Sequence, residues 1–399
     1  MAAAKKKTVK KKAAPKSSSP LAGVRKAVGK VLKDDDPTIL VDTNQLKVSR
    51  PHITSGSIVL DYLIGGSPNR FGVAPCPGWP KGMISNIYGH ESSGKTTVAL
   101  EAAAAVCDAG GVVAFIDWEH ALSLDYAAAL GVPVDDPDQF YLVQPNTLEA
   151  GLSVLFACAA AGVDLIILDS VGAGVPKAVQ EQALEEKGKM GRVGLIAAKW
   201  SQVLPQLAGV ISESGTHVMG ISQLRKKINT TGYGGDGTTH QGGEAWKFYS
   251  ALRLKFRRVK SIKTKDYDAL QHKQVERFTS ALVKAKVDKS KVSNSQQREA
   301  EYHITFGEGI DNVRDLIAVG TNHGIINKGG AWYTFERADG SAIKSQGTEA
   351  FKRDILNADG VYEELATRVL EAVRSGLNSA TPVKDEEDDV DEALGFVSE

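Results

Sequence analysis

The sequence predicts an α/β fold: a doubly wound, mostly parallel sheet with a small α+β segment behind it. Three observations lead there. Between about residues 82 and 259, short β-branched runs alternate with longer helical patterns, the order that successive strand–helix–strand units leave in a sequence. Leu165, Ile166, Ile167 and Leu168 form an unbroken apolar run, as a strand covered on both faces requires. A glycine-bracketed turn, from Gly89 to Gly94, falls between a predicted strand and a predicted helix.

Residues 1–20 are a Lys-rich tail, with seven lysines and no acid in the first 16 positions. Residues 381–399 are its acidic counterpart, with eight carboxylates against the single Lys384. Neither end shows apolar periodicity, so neither can offset the entropy of ordering, and both are expected to be disordered. The lysines suit either nucleic-acid phosphates or a solubilising role; the acids suit either mimicry of DNA or solubility. The segment 21–52 opens with LAGVRKAVGKVL, whose apolar spacing predicts a short amphipathic helix over 21–32, stopped by Asp34, Asp35, Asp36 and Pro37. A helix this short needs something to pack on, its own core or a neighbouring subunit.

The main domain is expected over 53–322. Its strands are predicted at 84–88, 112–117, 140–143, 164–169, 217–222 and 251–256, and its helices at 95–109, 148–161 and 195–212. Past residue 322 the pattern changes to a strand at 331–335 and helices at 349–356 and 361–373, which predicts a small α+β domain over 323–380. No internal repeat is visible.

Composition narrows the function classes. The chain has 399 residues, 48 Lys+Arg against 48 Asp+Glu and 42% hydrophobic residues, enough for a sizeable core in a globular protein. No apolar run approaches the roughly 18–20 residues of a membrane helix. The Lys-rich start lacks the apolar stretch of a secretory signal. Cys76, Cys107 and Cys158 are odd in number and far apart, which excludes a disulfide scaffold or zinc ribbon and fits a reducing cytoplasm.

The chemistry starts at the glycine-bracketed turn. Gly89, His90, Glu91, Ser92, Ser93, Gly94, Lys95 and Thr96 fit G-x-x-x-x-G-K-[ST], the phosphate loop. Glycines let backbone N–H groups turn inward around phosphate oxygens, and the following helix adds its positive end. Lys95 is expected on the β- and γ-phosphates and the Thr96 hydroxyl on Mg²⁺. Asp169 ends the apolar strand that starts at Leu165, where it would hold the Mg²⁺ hydration shell or else cap the next helix. Another strand ends in Asp117, Trp118, Glu119 and His120. A carboxylate there can position or deprotonate water for attack on the γ-phosphate; Glu119 is the candidate, with Asp117 and His120 as rivals that spacing does not separate.

These blocks together carry a resemblance. GHESSGKTT, FIDWEHA, LIILDSVGAGVPKA, GISQLRKKI, GGEAWKFY, FGEGID and GGAWY, preceded by ITSGSIVLD, occur in the order found in the bacterial RecA recombinase family. The resemblance spans roughly residues 53–373 and leaves out both tails and the Pro/Gly-rich stretch 67–80. It implies a RecA-type P-loop ATPase core. It implies that Glu119 activates the attacking water, that the nucleotide site extends to Thr97 and Tyr126, and that Tyr126 stacks on adenine. Ser123 stands where the family has an adenine-contacting Asp. Gln223 matches the glutamine that senses the γ-phosphate and signals to a DNA-binding loop.

Two segments resemble the family's DNA-binding loops, about 176–191 and 225–243. The second is independently suggestive, because Arg225, Lys226 and Lys227 precede a Gly/Thr-rich stretch with no helix or strand pattern. Ile228 matches a residue that wedges between base triplets; Met190 or Val193 is its counterpart in the first loop, and Gly242 and Gly243 close the second. Lys284 and Lys286 alternate along a strand and by themselves read as a solvated face. The resemblance implies instead that they reach the ATP of the adjacent subunit, with Phe248 relaying nucleotide state across the interface. After them Val287, Asp288, Lys289, Ser290 and Lys291 replace the family's apolar turn.

The resemblance therefore implies a DNA-stimulated ATPase that forms helical filaments on single-stranded DNA, pairs it with homologous duplex and exchanges strands. ATP and Mg²⁺ would be its cofactors, and loader or regulatory proteins further partners. Base pairing would carry sequence specificity, leaving the protein phosphate and wedge contacts. Two other classes share such a core. A hexameric replicative helicase would unwind forked duplex, and a non-enzymatic DNA-coating filament would lack DNA-stimulated ATP turnover.

Overall fold

The computed structural model describes residues 48–69, 72–183, 191–226, 238–240, 242–268 and 272–376. Both expected tails and the helix expected at 21–32 lie outside the described residues. The first elements are β1 (His52–Ile53), α1 (Ile58–Gly65), β2 (Trp79–Pro80) and β3 (Ile84–Gly89). Then come α2 (Lys95–Asp108), β4 (Val113–Asp117), α3 (Leu124–Ala129), β5 (Phe140–Val143), α4 (Leu148–Ala161) and β6 (Leu165–Asp169). They are followed by α5 (Lys177–Ala183), α6 (Gly191–Ser214), β7 (His217–Lys226), β8 (Thr238–His240) and α7 (Ala245–Tyr249). A long hairpin of β9 (Leu252–Asp268) and β10 (Lys273–Ser290) leads to β11 (Glu299–Thr305) and β12 (Gly309–Ile310). The last elements described are α8 (Asn312–Asn322), β13 (Ile326–Gly329), β14 (Trp332–Glu336), β15 (Ala342–Gln346), α9 (Thr348–Asn357) and α10 (Val361–Gly376).

The main sheet runs β12-β11-β10-β9-β3-β7-β6-β4-β5, with β8 attached to β7. Every pairing from β9 to β5 is parallel, and β9, β10, β11 and β12 pair antiparallel. This is the mostly parallel, doubly wound sheet that the alternating pattern predicts. Side chains alternate between its faces: Phe115 and Ile167 join Val98, Ala102 and Val106 of α2 in one apolar cluster. Ile116, Ile166 and Leu168 join Leu152 and Leu155 of α4 and Leu204 and Leu207 of α6 in another. In the second cluster Trp118, Trp200 and Trp246 stack edge-to-face, with ring centroids 6.2 and 5.0 Å apart. Because β4 follows β3 in sequence but lies beyond β7 and β6 in space, the carboxyl ends of these strands open onto one crevice, where α/β sheets bind ligands.

A third cluster unites Phe335, Phe351, Ile355, Val361, Leu365 and Val369 around the antiparallel sheet β13-β14-β15. Val313, Leu316 and Ile317 of α8 join it, so this helix packs with the residues that follow it. No helix among the described residues is long and apolar enough to cross a membrane.

Three of the stretches given an expectation take a different form. The strand predicted at 251–256 continues to Asp268, because the hairpin's backbone ladder holds where apolar alternation gives way to exposed Arg and Lys. Residues 177–183, expected within a loop, form α5, whose start is fixed by the Val179 and Gln180 N–H groups donating to the Pro176 carbonyl. Finally, Arg225 and Lys226 are not loop: they extend β7 and pair with the β-branched Thr239 and Thr238 of β8.

Candidate functional site

β3 delivers Gly89 to the carboxyl end of the sheet and α2 begins at Lys95, so the phosphate-loop sequence spans a strand-to-helix turn. Glycine is needed at both ends of it. A Cβ on Gly89 would run into the Phe256 carbonyl and lie 2.8 Å from Ser93 Oγ. Gly94, the N-cap of α2, sits at φ 84°, in the left-handed region. The first N–H groups of α2 have no partner within the helix, which leaves its positive end free for an anion. Arg258 of the hairpin donates to the Ser92 carbonyl at 2.6 Å and ties the loop down from the side.

Lys95 is buried, with its ammonium donating to the His90 carbonyl at 2.7 Å and approaching Ser93 Oγ at 3.4 Å. Burial pushes its pKa down, against the pull of Asp169, Glu119 and Glu91. Thr96 Oγ1 donates to Asp169 Oδ2 at 2.9 Å, and burial, reinforced by the nearby Glu119, raises the Asp169 carboxyl to about 7. In register, Asp169 lies opposite Asp117. Asp117 is saturated: it accepts from the N–H groups of Glu119, Ala121 and Leu122 and from Gln144 Nε2, all at 2.9–3.1 Å. A carboxylate so occupied braces the turn and has little capacity left for a water proton. Glu119 is exposed and reaches across to β7, where its Oε1 accepts from Gln223 Nε2 at 3.2 Å. Among the described residues, no hydrogen bond links His120, exposed at φ 53°, to β7.

Gln223 stands opposite Gly89 in the parallel register, and its strand runs on through Arg225 and Lys226 into the second candidate DNA loop. The return from that loop is sterically fixed. Gly242 (φ 89°) packs on Val171 and Trp246, and Gly243 (φ 87°) on Ala197; a Cβ on either would come within 2.7 Å of its neighbour. Val193 lies in the first turn of α6. Met190, Lys227 and Ile228 lie outside the described residues.

The sequence profile of the RecA N-terminal domain matches residues 24–311. The chain belongs to the RecA family. It is 40% identical to Protein RecA of Kineococcus radiotolerans over 347 residues, 86% of this chain and 88% of that protein. It is 41% identical to Protein RecA of Staphylococcus aureus over 321 residues, 80% of this chain and 82% of that protein. A crystal structure of the RadB recombinase, 19% identical, aligns with a TM-score of 0.44 over 65% of this chain and 98% of that one.

Within this RecA-family core, Tyr126 is half-buried on α3 with its hydroxyl 2.9 Å from Thr97 Oγ1, beside the first turn of α2. Ser123 caps α3 by accepting from Tyr126 N–H at 3.2 Å, which explains a hydroxyl at that position. Phe248 is 70% exposed on α7. Lys289, in the segment that departs from the family pattern, donates to the Lys247 and Phe248 carbonyls at 2.6 and 3.0 Å and so caps that helix with a cation. Lys284 and Lys286 do not turn toward their own phosphate loop. Val283 does, with Cγ2 3.9 Å from where a Cβ on Gly94 would stand, and its strand neighbours take the opposite face.

Sequence reasoning missed four participants: Arg258, Gln144, and the pair Glu299 and Glu301, which hold Lys284 and Lys286 at 3.2–3.7 Å. For Arg258 the only signal was its place two residues after Phe256, on the face that Leu252, Leu254 and Phe256 share, because the apolar alternation of LRLKFRRVK stops there. The other three are brought in by tertiary pairing alone.

Proposed function

We propose that this RecA-family chain is an ATP-dependent, DNA-stimulated recombinase that assembles as a helical filament on single-stranded DNA and exchanges strands with homologous duplex. The residues present suit a Mg²⁺-bound triphosphate. Lys95 is a cation held by neutral oxygens of its own loop, ready to exchange them for phosphate oxygens. Thr96 and Asp169 offer one hydroxyl and one carboxylate, and among the described residues no group of three or more His, Cys, Asp or Glu forms a metal cage. So sparse a set of hard oxygen ligands fits Mg²⁺ shared with substrate phosphates.

Thr96 and Asp169 would hold Mg²⁺, which would supply positive charge to the phosphate groups. Lys95 offsets charge developing on the transferred phosphoryl group, and Glu119 orients the attacking water and takes its proton. Asp117 holds the Glu119 backbone, so the base starts from a fixed position. Lys284 and Lys286 face away from their own loop, which suits delivery to the nucleotide of an adjacent copy, with Phe248 on the same interface. Arg225, Lys226, Lys227 and Ile228, with Met190 or Val193, contact DNA as phosphate and wedge residues.

One observation carries the reading: the Gln223–Glu119 hydrogen bond at 3.2 Å. It joins the strand that enters the second DNA loop to the carboxylate that handles water, so nucleotide and DNA are sensed through one side-chain contact. Electron microscopy of the full chain with single-stranded DNA and a slowly hydrolysed ATP analogue tests it. Helical filaments that need both components are expected; separate protomers under those conditions would refute the proposal.

A further inference from the structure

Lys284 and Lys286 stand on β10 between two rows of charge. On one side β9 places Arg257 opposite Lys284 and Lys255 opposite Lys286. On the other side β11 places Glu301 opposite Lys284 and Glu299 opposite Lys286. Directly opposed residues share a face, where like charges repel and unlike charges attract. Both ammonium groups accordingly lie against β11. Lys284 Nζ is 3.2 Å from Glu299 and 3.2 Å from Glu301, and Lys286 Nζ is 3.7 Å from Glu299. Glu299 thus serves both lysines, and the four side chains form a neutral cluster. The alternating Val283, Ala285 and Val287 are buried on the other face, so this cluster lies on the open side of the sheet.

We propose that Glu299 and Glu301 are positioning residues that act as an internal counter-ion for Lys284 and Lys286, a latch that the triphosphate of a neighbouring protomer must displace before the two copies join. The inference rests on the reading that these lysines serve the adjacent copy's nucleotide. Without that nucleotide both lysines are engaged by carboxylates of their own chain rather than free to reach another protomer. Partly exposed ion pairs are weak, so a polyphosphate with several negative oxygens outcompetes single carboxylates, whereas a diphosphate gains less from the exchange. The latch therefore raises the nucleotide requirement for assembly and sharpens its preference for ATP over ADP.

The test titrates the full chain, with a poly-dT oligonucleotide, against a slowly hydrolysed ATP analogue and separately against ADP, reading filament formation by light scattering and electron microscopy. The double variant Glu299→Gln/Glu301→Gln is expected to reach half-assembly at about tenfold lower analogue concentration, equivalent to about 1.4 kcal/mol, and to assemble with ADP. Glu299→Gln alone should account for most of the shift and Glu301→Gln for less, because only Glu299 touches both lysines. An unchanged requirement, or one raised equally for both nucleotides, would overturn the latch and leave the glutamates a structural role. Lys284→Ala/Lys286→Ala separates the two levels. If that variant assembles like wild type, the interface reading itself falls; if it fails to assemble while the glutamine variants match wild type, only the latch falls.

Discussion

The two halves of the central sheet handle charge in opposite ways. At the carboxyl ends of the parallel strands, Lys95, Asp117 and Asp169 are buried or nearly so and each is committed to named partners before any ligand arrives. On the antiparallel half, Lys284, Lys286, Glu299 and Glu301 keep 28–42% of their side-chain surface and pair with one another at 3.2–3.7 Å. Burial makes the first set costly to leave without partners, because a bare charge there loses its hydration with nothing in return. Solvent makes the second set cheap to exchange. The contrast suits a protein whose chemistry needs fixed geometry while its assembly needs reversible contacts.

Lys95→Ala should break the fixed half most severely. A loss of about 10³-fold or more in ATP turnover is expected, measured as phosphate release with saturating single-stranded DNA; retention within tenfold would show that the buried lysine is not the phosphate clamp. Glu119→Gln should cost about 10²–10³-fold in turnover while nucleotide binding persists. Asp117→Asn sharpens this contrast, since it should lower thermal stability by disturbing a carboxylate with four donors. Equal catalytic and stability effects in both variants would erase the division between base and brace.

Gln223→Ala probes the link from the fixed half to the proposed DNA loops. DNA stimulation of turnover should fall roughly five- to tenfold while DNA-independent turnover stays near its own level; a parallel fall in both would make Gln223 a structural residue. An effect on stability rather than turnover is expected at Glu101, whose Oε1 accepts the Ile310 N–H at 2.7 Å and ties α2 to the antiparallel edge. Burial raises this carboxyl from 4.5 to about 7. Between those values the folded chain holds a proton that the unfolded chain has lost, so stability falls as pH rises across that window and then levels off. Glu101→Gln keeps the acceptor and removes the charge. Urea unfolding should show it about 1–3 kcal/mol more stable than wild type at pH 8 and nearly equal at pH 5; an equal gain at both pH values would contradict a titrating group.

Much of the fixed half was legible in the sequence because it is buried. Strands covered on both faces leave unbroken apolar runs, as Leu165 to Leu168 do, and a phosphate loop needs glycines at set spacing. The reversible half was largely illegible. Its hairpin continues through Arg257, Lys260, Lys263 and Lys265, where exposure removes the apolar alternation that marks a strand. The rivalry between Asp117 and Glu119 could not be settled by position, because it depends on how the turn folds its N–H groups onto Asp117, on Gln144, 27 residues from Asp117, and on Gln223, 104 residues from Glu119. The alternation of Lys284 and Lys286 was visible, but which face each takes depends on Val283 packing toward Gly94, and their partners sit on another strand.

The decisive claim is that the lysines of one copy complete the nucleotide site of the next. Glu119→Gln protomers keep the lysines and lose the base; Lys284→Ala/Lys286→Ala protomers keep the base and lose the lysines. Mixed in equal amounts on single-stranded DNA, the two variants should restore turnover to a measurable fraction of the wild-type rate, at most about a quarter, since no more than about one interface in four joins both intact halves of a head-to-tail contact. A mixture no more active than the sum of the two variants measured alone would mean that the lysines act within their own chain or not at all.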